Sequence, residues 1–247
     1  RLCGSGVQAI VSIVQALQLG DADFGLAGGA ENMSRAPYIN SDQRWGARMG
    51  DITIRDMMLG ALNCPFGTGH MGVTAENVAA EYGISRAMQD EFAMESQTRA
   101  AKAIAAGHFA DQITPVQVRV KREMVDFVTD EHPKATAADT LAGLRPAFQK
   151  DGTVTAGNAS GINDGAGAVM LATMEAAEKA KLEPAFRVLG YAHAGVRPEV
   201  MGIGPVPAVQ ALLARTGLTA DDFDVIESNE AFAAQALAVS RELAFDP

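Results

Sequence analysis

Residues 1–29 read RLCGSGVQAIVSIVQALQLGDADFGLAGG, and the fold class follows from them. A glycine-punctuated turn, Cys3-Gly4-Ser5-Gly6, opens a helix predicted over 6–19. Gly20-Asp21 stops it, and Asp23–Ala27 follows as a short strand ended by the Gly28-Gly29 pair. Helix and strand at this spacing predict α/β architecture. The stretch from Leu2 to Gly20 carries no charge and nominally reaches the length of a membrane span. Gln8, Ser12, Gln15 and Gln18, however, fall at helical spacing on one stripe. The expectation is a buried helix with a narrow polar seam rather than a membrane helix.

Outward from there the rhythm breaks. Residues 34–70 are rich in Met, Gly and Arg and read as long excursions around Pro37 and Pro65. A helix is predicted from an N-cap at Thr74 to Tyr82, with Gly83 as its stop, and a longer one from a Ser85 cap to Ala106. Thr114–Val120 alternates as a strand, and 121–150 reads mostly as loop with a short helix near Asp139–Leu144. A second α/β rhythm opens at Thr153. Ala166–Ala172 is a continuous apolar run, predicted as a buried strand and followed by a helix over 175–181. Phe186–Gly195 and Asp224–Glu227 read as strands, and 207–216 and 230–243 as helices, the former opening on Pro207.

The 247 residues are 48% hydrophobic and 20% charged, a globular composition that excludes collagen, coiled coil and wholesale disorder. Thirty acidic against 20 basic residues give a net charge of −10, the wrong sign for coating nucleic acid or an anionic membrane. Two cysteines make no disulfide framework, so a reducing compartment is expected.

Three places could carry chemistry. Cys3 stands at the mouth of the first helix, where unpaired N–H groups and the positive dipole end favour a nucleophilic thiolate; the same residue also reads as a small buried hydrophobe. Asp151–Gly167 holds five glycines around Asn158, Ser160, Asn163 and Asp164. That density predicts close backbone approach, either to a ligand or to another part of the chain, and it fits no Walker or dinucleotide turn. Asn229 and Glu230 sit where a strand gives way to a helix, a place for ligand contact or for simple capping. The four histidines and two cysteines show no metal-ligand spacing, so no metal site is expected.

Taken together, Arg1–Gly6, Ala27–Ser34, His70–Asn77, Leu144–Phe148, Thr153–Gly161 and Asn229–Gln235 resemble the blocks of the thiolase family, in that family's order and over essentially the whole chain. The likeness is to the acetyl-CoA acetyltransferase and β-ketothiolase branch. It implies the thiolase fold, five-layered αβαβα, built from two similar halves with an inserted loop domain. Residues 1–33 and 162–184 would be the rear of the N-terminal half, 34–161 the CoA-binding loop domain, and 185–247 the start of the C-terminal half.

The resemblance implies that Cys3 takes the acyl group from a thioester and that Asn229 holds the water of an oxyanion hole. Leu62, His70, Met71, Ala147, Phe148, Ala156, Ser160, Met201 and Phe232 match positions lining the CoA and pantetheine tunnel. Lys134 stands where relatives often carry Arg on the CoA phosphates, keeping the charge but not the fork. CoA thioesters would be substrates, with no cofactor and no metal. The implied reaction is Claisen condensation of two acetyl-CoA, or the reverse cleavage of a 3-oxoacyl-CoA.

The Gly-His-Pro block and the Cys-Gly-Gly block of the family are absent from these residues. With no initiator Met before Arg1 and an end at Asp246-Pro247, the chain reads as a fragment, incomplete at both ends and inactive alone. A non-catalytic thiolase-like protein that binds acyl-CoA or lipid is the alternative; intact Cys3 and Asn229 argue against it. An oxoacyl-synthase-like condensing enzyme is disfavoured by the CoA-binding insertion. Expected partners are CoA and acyl-CoA in the cytoplasm, in a homo-oligomer (dimer or tetramer), with no nucleic acid and no membrane.

Overall fold

The computed structural model describes residues 1–134 and 136–245; Asp246 and Pro247, where the sequence ends, lie outside the described residues. In chain order the elements are α1 (Ser5–Leu19), β1 (Phe24–Asn32), β2 (Tyr38–Ile39), β3 (Arg55–Asp56), α2 (Met57–Ala61), β4 (Asn63–Cys64), β5 (Gly69–His70) and α3 (Met71–Glu81). Then come α4 (Arg86–Ala105), β6 (Val116–Val120), β7 (Glu123–Phe127), α5 (Ala138–Ala142), β8 (Asp164–Ala172), α6 (Met174–Lys179), α7 (Pro205–Thr216) and α8 (Ala233–Glu242). The chain divides into two compact units. The first holds Arg1–Leu62, Ile162–Gly195 and Pro207–Phe223; the second holds Asn63–Gly161, Val196–Val206 and Asp224–Pro247.

In the first unit, α1 ends as its sequence predicts. Gly20 takes φ 77°, a backbone conformation open to glycine, and its N–H and that of Asp21 close on Leu17 and Ala16 carbonyls. β1 pairs antiparallel with β8, from Phe24 opposite Ala172 to Asn32 opposite Asp164. The strand therefore runs through Gly28-Gly29 instead of stopping there. A Cβ on Gly28 would stand 2.9 Å from the Gly167 carbonyl oxygen, so glycine lets the two backbones meet without ending the ladder.

The apolar run over 166–172 is a strand but not a buried one. With α1 against the pair, Val11, Val14 and Ala27 are buried, while the alternate side chains face outward: Leu26 is 71% and Met170 67% exposed. Phe186–Gly195 forms no ladder among the described residues. Side chains fix it instead: the Tyr191 hydroxyl accepts from Gln15 Nε2 at 2.8 Å, Arg215 donates to the Tyr191 carbonyl at 2.8 Å, and its guanidinium lies over the ring. The helix predicted from Pro207 starts at Pro205, leaving Pro207 inside the first turn, where no N–H partner is missed.

The second unit is mainly helical, with the β4–β5 and β6–β7 pairs beside its helices. α3 and α4 pack on α8, and α5 packs on α4, burying Ala75, Val78, Ile84, Leu141, Ala234 and Val239. Ser85 caps α4 as predicted, its Oγ accepting from the Met88 N–H. α3 begins three residues before the predicted Thr74 cap. His70 is the cap, its Nδ1 accepting from the Gly72 N–H at 3.0 Å, while Thr74 donates to the Met71 carbonyl inside the first turn. The stretch 121–150 hides a strand: β7 returns on β6 in a hairpin whose turn places Lys121 at φ 58°.

Candidate active site

Cys3 and Leu62 belong to the first unit. Cys3 is an exposed free thiol in the turn ahead of α1, whose cap residue is Gly4. It is thus no buried hydrophobe, and open space around Gly4 and Gly6 leaves it accessible. Leu62 closes α2 at its C-cap, and that helix starts on Asp56, which accepts from the Met58 N–H at 2.8 Å.

The remaining candidates lie in the second unit, where an aromatic group gathers three of them. The His70 ring stacks on Phe148 with centroids 4.7 Å apart, and Phe148 meets Phe232 edge-on at 6.1 Å. Gly72 makes room for this stack: a Cβ there would sit 2.2 Å from Phe148 Cδ2. Gly72→Ala is therefore expected to cost roughly 1–3 kcal/mol through overpacking against a rigid ring. Urea denaturation measures this, and a loss under 0.5 kcal/mol (roughly the range of a neutral surface change) would show that Phe148 has room to yield.

Partial burial holds His70 below its ordinary value, and its Nδ1 acts as an acceptor, which assigns the proton of the neutral ring to Nε2. The unfolded chain takes up a proton at higher pH than the folded one. The stabilisation is thus complete above roughly pH 6.5 and is lost as pH falls through that value toward the lower folded one. The His70 Cε1 proton signal is expected to titrate with a midpoint below that of a free histidine. A midpoint at or above it would contradict this reading.

The glycine-rich stretch turns out to be anchored from beneath by buried polar groups. Glu76, on α3, accepts from Thr153 N at 2.9 and 2.8 Å, from Thr153 Oγ1 at 2.9 Å and from Val154 N at 2.8 Å. Asn158 accepts from Thr155 N at 2.8 Å and donates to Asp90 Oδ1 at 2.9 Å, and Asp90 pairs with Arg86 at 2.7 Å. Gln89 donates to Thr153 Oγ1 at 2.9 Å from a fully buried position. Gly152 meets Glu76, Gly157 meets Leu141 and Leu144, and Gly161 meets His132, so these three serve tight packing. Of the anchoring side chains only Asn158 was singled out from sequence; Glu76 and Gln89 were not. The available signal was Glu76 itself: a carboxylate on the same helix face as Gly72 and Ala79, both buried, needs donors.

The top of that stretch meets the Asn229 segment. An antiparallel bridge joins Ala159 and Phe232; Ser160 N donates to the Ala231 carbonyl and Ala233 N to the Asn158 carbonyl, both at 2.9 Å. The strand predicted over 224–227 has no ladder partner among the described residues, and α8 starts at Ala233, three residues later than predicted. Asn229 and Glu230 therefore stand on an exposed connection. They border a cleft of about 560 Å³ that also takes in Ser160, His132, Ser96 and Gln97.

Ala147 donates to the Val154 carbonyl at 2.9 Å, and Ala147, Ala156 and Ser160 are exposed around this stretch. Met71 opens α3, Met201 is exposed in the 3-10 turn Pro198–Ile203, and Lys134 is tied by its N–H to Gln97 Oε1 at 2.8 Å with its side chain exposed. Cys64, in β4, is held below its ordinary value chiefly by a hydrogen bond with the Thr68 side chain. Among the described residues no group of three or more His, Cys, Asp or Glu could hold a metal, and no helix is long and apolar enough to cross a membrane.

The structure thus gives an exposed thiol before the start of α1 and, in the second unit, an Asn–Glu pair beside the glycine-rich stretch. The Thiolase, N-terminal domain model matches residues 1–175, and the Thiolase, C-terminal domain model residues 182–247. The chain belongs to the thiolase family and has its fold. It is 59% identical over 249 aligned residues to "Beta-ketothiolase BktB" of Cupriavidus necator, covering 100% of this chain and 63% of that protein. The acetyl-CoA acetyltransferase of Bacillus anthracis superposes with a TM-score of 0.95 at 48% identity, covering 99% of this chain and 62% of that one. Human mitochondrial 3-ketoacyl-CoA thiolase in complex with CoA superposes with a TM-score of 0.93 at 44% identity, covering 99% and 61%. The chain thus spans between 61% and 63% of the length of these relatives.

Proposed function

We propose that the whole protein is an acyl-CoA C-acyltransferase that condenses two acetyl-CoA to acetoacetyl-CoA and CoA, or cleaves a 3-oxoacyl-CoA with CoA. The observation that carries this is the exposed Cys3 thiol at the N-terminal turn of α1, in a chain 59% identical to a β-ketothiolase. The Cys3 thiolate attacks the thioester carbonyl, the C–S bond to CoA breaks, and CoA leaves as the thiol once protonated. A second acetyl-CoA then loses the proton beside its carbonyl, and its carbon attacks the acyl-cysteine, expelling Cys3 as thiolate. Both carbonyl oxygens gain negative charge on the way, and preorganised donors there lower the barrier. Asn229 orients a water as one such donor. The family's downstream His and Cys blocks supply the proton transfers.

His70, Met71, Ala147, Phe148, Ala156, Ser160, Met201 and Phe232, with Leu62, line the CoA and pantetheine tunnel in this proposal, and Lys134 meets a CoA phosphate. Residues 34–161 act as the CoA-holding loop domain, 1–33 and 162–184 as the rear of the N-terminal half, and 185–247 as the start of the C-terminal half. Two free thiols and an acidic chain fit the cytoplasm, and a homo-oligomer is proposed as the assembly. Intact Cys3 and Asn229 favour turnover over non-catalytic binding. The test is thiolysis of acetoacetyl-CoA by the whole protein, followed as loss of the enolate absorbance; binding of CoA without turnover would reverse the assignment.

A further inference from the structure

Arg86 opens α4, where a cation opposes the helix dipole, so its place is set by its partners and not by its helix. Its Nε donates to Asp90 Oδ2 at 2.7 Å, one turn further along α4. Its Nη2 donates to the carbonyls of Leu141 at 2.6 Å and Leu144 at 2.9 Å, at and just beyond the end of α5. Asp90 Oδ1 in turn accepts from Asn158 Nδ2 at 2.9 Å, and Asn158 is only 3% exposed. One ion pair on α4 therefore holds two separate segments of the second unit. The first leads from Leu144 through Pro146 to Ala147 and Phe148; the second runs from Asn158 to Ser160. The segments also touch: a Cβ on Gly157 would stand 2.6 Å from both Leu141 Cδ2 and Leu144 Cδ1. Packing this close transmits any shift of one segment to the other.

We infer that Arg86 is a positioning residue for the CoA moiety: its guanidinium, oriented by Asp90, fixes the spacing between the Ala147–Phe148 and Asn158–Ser160 segments. This rests on the proposed role of both segments in lining the CoA tunnel. Arg86 touches no reacting atom. Its planar fork reaches three acceptors in fixed directions, which a lysine ammonium cannot reproduce. Arg86→Lys keeps the charge and lets the spacing drift. A thioester without the nucleotide and most of pantetheine does not depend on that spacing, and this separates positioning from a general loss of structure.

The experiment follows acetylation of Cys3 in the whole protein by intact mass, with acetyl-CoA or acetyl-N-acetylcysteamine at concentrations below saturation. The second reagent keeps the thioester and the cysteamine arm but lacks the nucleotide. Arg86→Lys is expected to slow acetylation by acetyl-CoA roughly tenfold, and to leave the truncated thioester within about twofold, because only ground-state binding of the longer chain is lost. The dissociation constant for CoA, from calorimetry, should rise by a similar factor. Asp90→Asn keeps an acceptor for Asn158 while weakening the hold on Arg86, and should fall between. Equal losses with both thioesters, or no loss with either, would overturn the inference. If the parent protein binds CoA without acetylation of Cys3, the acyltransferase reading falls. In that case weaker CoA binding by Arg86→Lys still upholds the positioning role, and unchanged binding overturns it.

Discussion

Cys3→Ala in the whole protein is expected to lower acetoacetyl-CoA thiolysis by roughly 10⁴-fold or more, because the remaining groups have no acyl acceptor to serve. The cysteine is exposed and precedes the first turn of α1, so its removal buries no polar atom and opens no core cavity. Stability in urea should stay within about 0.5 kcal/mol of the parent, as for other surface changes. CoA affinity should also be nearly unchanged. The combination separates a lost nucleophile from a damaged fold. Residual activity within about tenfold of the parent would mean that another group accepts the acyl chain, and the acyl-cysteine mechanism would fall.

The largest stability effect is expected at Glu76. Its two oxygens accept four hydrogen bonds, from Thr153 N twice, Thr153 Oγ1 and Val154 N, and the residue is only 6% exposed. Glu76→Ala leaves the buried Val154 N–H and the half-buried Thr153 N–H without their carboxylate partner and is expected to destabilise the second unit by roughly 3–4 kcal/mol. Glu76→Gln keeps one acceptor oxygen but turns an NH2 toward donors, and should lose about half as much. Urea denaturation of the three proteins gives the comparison. A loss below about 1 kcal/mol in the alanine variant would show that water satisfies those N–H groups. Because Glu76 holds Thr153 and Val154, its loss also loosens the start of the stretch that ends at Ser160. Weaker CoA binding is therefore expected to accompany the instability.

How much of this was legible in the sequence differs from element to element, for physical reasons. Gly20-Asp21 and Ser85 act within a few residues of themselves, and the structure puts both where local chemistry predicts. Cys3 at a helix mouth was readable for the same reason. Thr74 was the better cap by composition, yet His70 caps α3, because the ring is also needed against Phe148, a residue 78 positions away. The glycines of β1 read as a strand end, but their role is set by Gly167 across the ladder. The β6–β7 hairpin was hidden because its turn, Lys121-Arg122, lacks the Asn-Gly or Asp-Gly signal that such turns normally carry.

The burial of β8 was overestimated on a sound premise. A continuous apolar run predicts a strand covered on both faces, whereas among the described residues β8 pairs with β1 alone and meets α1. Nor could any pattern near residues 153–158 have named the partners that hold them, since Glu76, Gln89 and Asp90 come from two other helices. Beyond Cys3, Ser160 and Asn229, the candidate residues were legible only through the likeness to the thiolase family.

The central claim is that Cys3 carries the acyl group. Brief mixing of the whole protein with acetoacetyl-CoA, acid quench, and intact mass with peptide mapping tests it directly. The prediction is one acetyl group, trapped on Cys3 and absent from Cys64. An unmodified Cys3 in protein that binds CoA would contradict the account and leave a thiolase-fold binding protein in its place.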